Sequence, residues 1–357
     1  MTTRHNPRQT APQWKRILVR SLVVLIVLAA CFAVYSFYAS ETDDISEHVS
    51  AFNNAPPVAT ARQDEPILPI STPVGLNAQK VALGQILFHD TRLSKDNTIS
   101  CATCHDLSRG GVDNLPRSLG VGGAEGGINT PTVYNAVFNF RQFWDGRAAT
   151  LEEQAAGPIL NPVEMASSWE HVIAVLEADP DINTRFHATY NGPATPDRVT
   201  DAIAEFERSL VTPSRFDRWL NGDDNALSEQ ELEGYRLFKR HGCIACHQGK
   251  NAGGNIFQRF GVMLDYFADR EATGTSLGRF NVTGRESDKH VFKVPGLRNV
   301  ALTAPYFHDA LADNLHQAVG MMGLYQLGVT LPNEEVNLIV LFLKTLTGEQ
   351  LSGEQTE

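Results

Sequence analysis

Two pentapeptides of this 357-residue chain, CATCH at 101–105 and CIACH at 243–247, share the pattern Cys-x-x-Cys-His. Two thiols about one helical turn apart can add to the two vinyl groups of a haem, and the histidine that follows then sits beneath the iron. The pattern is the attachment signal of c-type haem. A zinc site would need both cysteine pairs to converge, and a redox dithiol would need a βαβ setting that the flanking sequence lacks. Two complete motifs favour two covalently bound haems. Cys101, Cys104, Cys243 and Cys246 are then the attachment points, and His105 and His247 the proximal ligands.

The other face of each iron decides between electron transfer and chemistry, because a filled sixth position carries electrons and an open one admits a small ligand. Beyond His247 the methionines are Met263, Met321 and Met322, the last two in AVGMMGLYQLG at 318–328. By spacing alone a methionine there can ligate the second haem or pack in the core. The segment 106–143 holds no His, Met, Lys or Cys, and Tyr134 is its only conceivable protein ligand. The local reading is an open first haem and a closed second one. Within that segment SLGVGGAEGGINTP, 118–131, carries five glycines. It does not fit the dinucleotide fingerprint, which leaves a flexible lid or a gap-filling loop.

Helices must position these groups. TPDRVTDAIAEFERSLV has Thr195 as N-cap, Pro196 at the first helical position and Val199, Ile203, Phe206 and Leu210 at helical spacing. SEQELEGYRLF opens on the capping box Ser228 to Glu231, and PNEEVNLIVLFLKTLTG runs from an acidic first turn to a stop at Gly348. Alternating strand patterns are absent. LGQILF at 83–88 precedes the first haem motif and EGYRLF at 233–238 the second, and a Gly-Gly pair follows each motif. The chain therefore reads as all-α, with two cytochrome c-like domains, each holding one haem.

The first 40 residues carry five basic groups and no acid, and the run Ser21–Ala39 is apolar and long enough to span a bilayer. With ETDD after it, the positive-inside rule predicts a single-pass inner-membrane anchor and a periplasmic body. LAAC ending at Cys31 offers a lipoprotein alternative, and a cleaved signal peptide is another. The expected boundaries are 1–40 for tail and anchor, 41–70 for a linker, 71–214 for the first domain and 215–357 for the second. Of the net charge of −11, the basic tail contributes +5, which leaves about −16 on the body. That excludes nucleic acid as partner and suits a basic or dipolar protein.

From about Gly84 to Gly348 the chain resembles the bacterial di-haem cytochrome c peroxidases of the MauG-type superfamily. The resemblance rests on CATCH, NTPTVYNAVFNFRQFWDGR (129–147), EEQAAGPILNPVEM (152–165), VTPSRFDRWL (211–220), CIACH, VPGLRNVALTAPYFHDA (294–310) and AVGMMGLYQLG. It implies reduction of hydrogen peroxide at the first haem, with electrons from a small cytochrome c or cupredoxin arriving at the second. An oxidase of a protein or small molecule and a non-catalytic electron carrier are the alternatives, and a homodimer is the assembly considered.

Several residue roles come only with that resemblance. The distal acid falls on Glu164 and its neighbour on Gln154. Splitting peroxide needs a base that takes a proton from one oxygen and returns it to the other, and a desolvated carboxylate suits both tasks. The inter-haem tryptophan falls on Trp144, with Phe143 beside the open haem face. The distal methionine is Met322 rather than Met321, whereas MauG-type oxidases have a tyrosine there; Tyr325 lies three residues on. A calcium ion is implied at the domain boundary, through the Asn129 side chain and the carbonyls of Thr303 and Pro305. Where many members carry a haem-capping histidine in the glycine-rich loop, this chain has Val121, which points to a lid with nothing to lock.

Overall fold

The computed structural model describes residue 62, residues 64–270 and residues 274–352. The expected anchor at Ser21–Ala39, Cys31 and most of the expected linker lie outside them. Among the described residues no helix is long and apolar enough to cross a membrane.

Two helix crossings organise the chain. Helix Ala78–His89 packs on helix Pro196–Ser209, and helix Glu229–Arg240 packs on helix Asn333–Lys344. Both crossings are closed on a glycine. A Cβ on Gly84 would lie 1.9 Å from the Ala202 carbonyl oxygen, and one on Gly234 would lie 1.9 Å from that of Leu338. Only a bare backbone lets the axes approach so closely. The paired words LGQILF and EGYRLF are thus two copies of one packing device. Thr195 and Ser228 cap as the sequence predicts, while the last long helix ends at Lys344, four residues before the anticipated stop Gly348.

Each crossing nucleates its own core. One gathers Leu83, Phe88, Ile159, Phe186, Ile203 and their neighbours, with Cys101 at its edge; the other gathers Phe216, Tyr235, Ile339, Phe342 and theirs, with Cys243 at its edge. Between them stands Thr212, whose Oγ1 accepts from Asn135 Nδ2 at 2.8 Å and from Asn299 Nδ2 at 2.9 Å. Both asparagines are fully buried and left-handed, with φ near +60°, and each starts a short 3-10 turn. Asparagine tolerates that conformation better than other side-chain-bearing residues.

Two departures from the sequence reading concern local structure. A two-stranded antiparallel ribbon, Phe257–Arg259 with Val291–Lys293, interrupts the otherwise helical chain; three residues per strand are too few to show alternation. The tail of the expected linker, 64–70, is not a spacer but a strap on the second core. Ile67 is fully buried there, Ile70 N–H donates to Asp217 and Glu65 pairs with Lys239. Its proline-rich composition reads as linker, and the main-chain bonds it forms with distant residues override that.

Candidate functional site

The first Cys-x-x-Cys-His motif begins as a helical turn, Cys101–Cys104, capped by Ser100, whose N–H donates to Thr103 Oγ1 at 3.0 Å. The second is a 3-10 turn, Cys243–Ala245. Each histidine then meets a carbonyl: His105 Nδ1 lies 3.2 Å from Gly111 O, and His247 Nδ1 lies 3.3 Å from Ala252 O. A carbonyl only accepts, so Nδ1 carries the proton and Nε2 keeps its lone pair for a metal. The Gly-Gly pairs make the return turn possible; Gly110, Gly111, Gly253 and Gly254 all have positive φ. Burial pushes both imidazoles down, His247 to about 4, which favours the neutral form in which Nε2 could meet a metal.

The thiols argue the same way. The two pairs sit at the edges of different cores, so they do not converge, and no disulfide joins the four described cysteines. Burial pushes Cys101 up to about 12 and Cys104 and Cys243 up to about 11, the reverse of a reactive dithiol.

A cavity of about 380 Å³ opens against the second motif, and Cys243, Cys246, His247 and Met322 all border it. This volume and its largely apolar walls suit a cofactor. Met322 ends helix Leu315–Met322, and a π-helical turn, Gly323–Leu327, follows it. Met321 packs instead against the core, and Tyr325 packs edge-on to Tyr266 in an aromatic cluster. Of the three methionines that spacing left in play, Met263, Met321 and Met322, Met322 is the one on the cavity wall. Tyr134 also borders the cavity, but its hydroxyl donates to Leu107 O at 3.0 Å.

Trp144 borders the same cavity and is fixed at both ends. Its Nε1–H donates to Asn129 O at 2.8 Å, and its carbonyl accepts from Lys293 N–H at 2.8 Å. Its ring lies edge-on to Phe292 and to His308, with centroids 6.3 and 6.4 Å away. The sequence reading missed the relation between Trp144 and His308. Residues 142–148 and 306–312 are two copies of one loop, closed by the bridges Gln142–Ala148 and Tyr306–Ala312. Phe143 and Phe307 both stand at positive φ, +66° and +73°. Trp144 and His308 are therefore equivalent positions that face each other; an alignment of the two halves beyond the haem motifs would have found them.

Asn129, Thr303 and Pro305 border the cavity together. Asn129 N–H donates to His308 O, and its side-chain Nδ2 to Leu115 O at 3.0 Å, which leaves Oδ1 as the atom to meet a cation. Asn114 holds the neighbouring strand of carbonyls, donating to Leu302 O and Ala304 O at 2.9 Å each. These are oxygen donors, the ligand type calcium takes, and three of them leave room for waters.

The acid expected at the first haem is held by its own turn. Asn161 caps helix Leu151–Leu160; its Oδ1 accepts from Val163 N–H at 3.2 Å, so its Nδ2 faces Glu164 Oε1, 2.6 Å away. Burial raises the Glu164 carboxyl, against the opposing pull of the Asn161 hydrogen bond and the Arg147 charge. Arg147 lies over the Phe143 ring at 3.4 Å and is bound by Asp145. A Cβ on Gly157 would stand 3.1 Å from Phe143 Cζ. Gln154 lies three residues before Gly157, on the same face of that helix. Asn161 and Arg147 were not singled out from sequence; the Asn-Pro turn was the available signal for the first.

The glycine-rich stretch is a closed hairpin rather than a free lid. Leu119 bridges Glu125, Gly126 N–H donates to Ser118 O, and Thr275 Oγ1 donates to Gly127 O at 2.6 Å. Its tip rests on the acid itself: Val121 N–H donates to Glu164 O at 2.8 Å, and a Cβ on Gly120 would lie 2.5 Å from that oxygen. Val121 offers no ligand, but its backbone is latched.

Residues 78–225 match a family model described as di-haem cytochrome c peroxidase. The chain is 54% identical to the cytochrome c peroxidase Ccp of Escherichia coli over 81% of its own length and 63% of that protein's. It is 52% identical to the cytochrome c551 peroxidase of Nitrosomonas europaea, over 80% of its length and 85% of that protein's. Among solved structures, a MauG-like protein associated with microbial copper homeostasis superposes with a TM-score of 0.69 at 28% identity, over 81% of this chain and 95% of the other.

Proposed function

The chain belongs to the di-haem cytochrome c peroxidase family, and on that premise we propose that it reduces hydrogen peroxide to two waters with two electrons and two protons. The observation that carries the proposal is the largely buried carboxyl of Glu164, fixed by Asn161, with the 118–131 hairpin latched to its backbone carbonyl. Haem iron, when bound, supplies the redox equivalents for cleaving the O–O bond.

The remaining chemistry is the protein's own. Glu164 takes the proton from one peroxide oxygen and returns it to the departing one, a two-way task for which its raised pKa suits it. Gln154 orients peroxide and donates to developing negative charge. Phe143, clamped between Arg147 and Gly157, closes the side of the site and keeps water out. His105 would hold the iron of the first haem, and His247 with Met322 that of the second. Trp144 stands between as the electron bridge, its ring position set by Asn129. Calcium on Asn129, Thr303 and Pro305 would stiffen that boundary.

Electrons come from a small cytochrome c or cupredoxin, for which the acidic body is a suitable docking partner. The N-terminal apolar run tethers the catalytic body to the inner membrane, on its periplasmic side. In Glu164→Gln, peroxide turnover should fall by about 10²–10⁴-fold, the usual worth of acid–base catalysis, with both haems retained. Near-normal turnover in a variant of full haem content would refute the assignment.

A further inference from the structure

Two basic side chains are buried at the wall of the cavity beside the second motif, and they are treated differently. Arg298, 1% exposed, is fully compensated: Asp217 binds its Nη1 and Nη2 at 2.7 and 2.8 Å, and Leu68 O accepts at 3.1 Å. Lys293, 6% exposed, has no hydrogen bond or ion pair for its side chain among the described residues. A buried ammonium without a counter-charge is strongly disfavoured. The cavity wall carries no Asp or Glu. An anionic group that fills the cavity would supply the missing counter-charge.

We propose that Lys293 is the counter-charge for a carboxylate of the haem held by His247 and Met322, and that it raises the reduction potential of that haem. Haem carries two carboxylates, and one of them in this cavity satisfies the lysine. In return, a fixed positive charge near the iron favours the reduced state, which has one positive charge fewer. Position is not left to a flexible chain, because the Lys293 N–H is bonded to the Trp144 carbonyl and the residue pairs with Phe257 across the ribbon. The same strand thus sets both the potential of the electron-accepting haem and the seat of the proposed bridge. Burial pushes the amine down, to about 8, and a carboxylate partner would restore it.

The inference rests on the haem reading, and the two can fail separately. A pyridine haemochrome count below two haems per chain in the unmodified protein would remove the haem reading. With two haems present, spectroelectrochemical titration tests Lys293. Lys293→Gln should lower the equilibrium constant for reducing the methionine-ligated haem at least tenfold, 59 mV for one electron, and leave the other haem in place. Lys293→Arg should keep the original potential. An unchanged potential in Lys293→Gln, or equal shifts of both haems, overturns the proposal. If Lys293→Gln does not take up haem, a crystal structure of the unmodified holoprotein decides: Nζ on a haem carboxylate supports the assignment, and Nζ on protein or water alone refutes it.

Discussion

Removing the Asn161 amide should raise the pKa of Glu164 further. The amide donates to Glu164 Oε1 at 2.6 Å beside a largely buried carboxyl, and this bond favours the charged form. Hydrogen bonds to charged groups contribute about 1.5–3 kcal/mol, and a pKa unit is worth about 1.4 kcal/mol, so the loss corresponds to about 1–2 units upward. Glu164 must be ionised to accept the first proton. The acid limb of kcat/KM for peroxide should therefore move to higher pH by about 1–2 units in Asn161→Ala, with about a ten- to hundredfold loss on the limb and the plateau retained. Asn161→Asp is the informative companion, since it keeps the acceptor for Val163 N–H while replacing the donor with a like charge. Its limb should move at least as far. The assay is steady-state turnover across pH with a reduced small cytochrome c, on variants matched for haem content. A limb that stays in place in both variants would mean that Glu164 is not the governing base.

Two further expectations concern the hairpin and the first core. With Val121 at its tip, the oxidised protein should turn over peroxide at once, and Val121→His should introduce a lag that pre-reduction of the second haem abolishes; a lag in the unmodified protein would count against this reading. Glu207 is 5% exposed, and burial pushes its carboxyl from 4.5 up to about 8. The folded state then holds a proton that the unfolded chain releases, so this contribution to stability is complete below about pH 4.5 and is lost as pH rises through about 8. Glu207→Gln should recover a few kcal/mol at about pH 8 relative to about pH 5 in denaturant titrations, and parallel pH slopes for the two proteins would refute it.

What sequence could and could not deliver follows physical lines. Cys-x-x-Cys-His spacing is dictated by the geometry of two thioether bonds, and caps such as Thr195 and Ser228 by the orphan amides of a helix start, so both are visible locally. Gly84 and Gly234 were seen as a repeat, yet their reason, a helix axis within contact of a carbonyl, appears only with the partner helix in place. The second repeat went unseen because its residues have diverged, Trp144 against His308 and Gly146 against Ala310, while its backbone has not. Glu164 was found through family resemblance alone, and Asn161 not at all. Lys293 and Glu207 are charged residues on buried surfaces, which composition and periodicity assign to solvent. The 64–70 strap was misread for a related reason: its order is imposed by groups far away in sequence.

The joint at Thr212 has a kinetic meaning for the proposed electron path. One hydroxyl oxygen accepts from both halves of the molecule, and each asparagine that donates to it also returns a bond to backbone, Asn135 to Thr212 N–H and Asn299 to Gly348 N–H. Pulling the halves apart would strand buried donors, each at a cost of about 1–3 kcal/mol. The halves are in this respect rivets of one plate rather than leaves of a hinge. The hop through Trp144 is then a fixed-distance event, timed by driving force and reorganisation, and indifferent to the viscosity of the surrounding solvent.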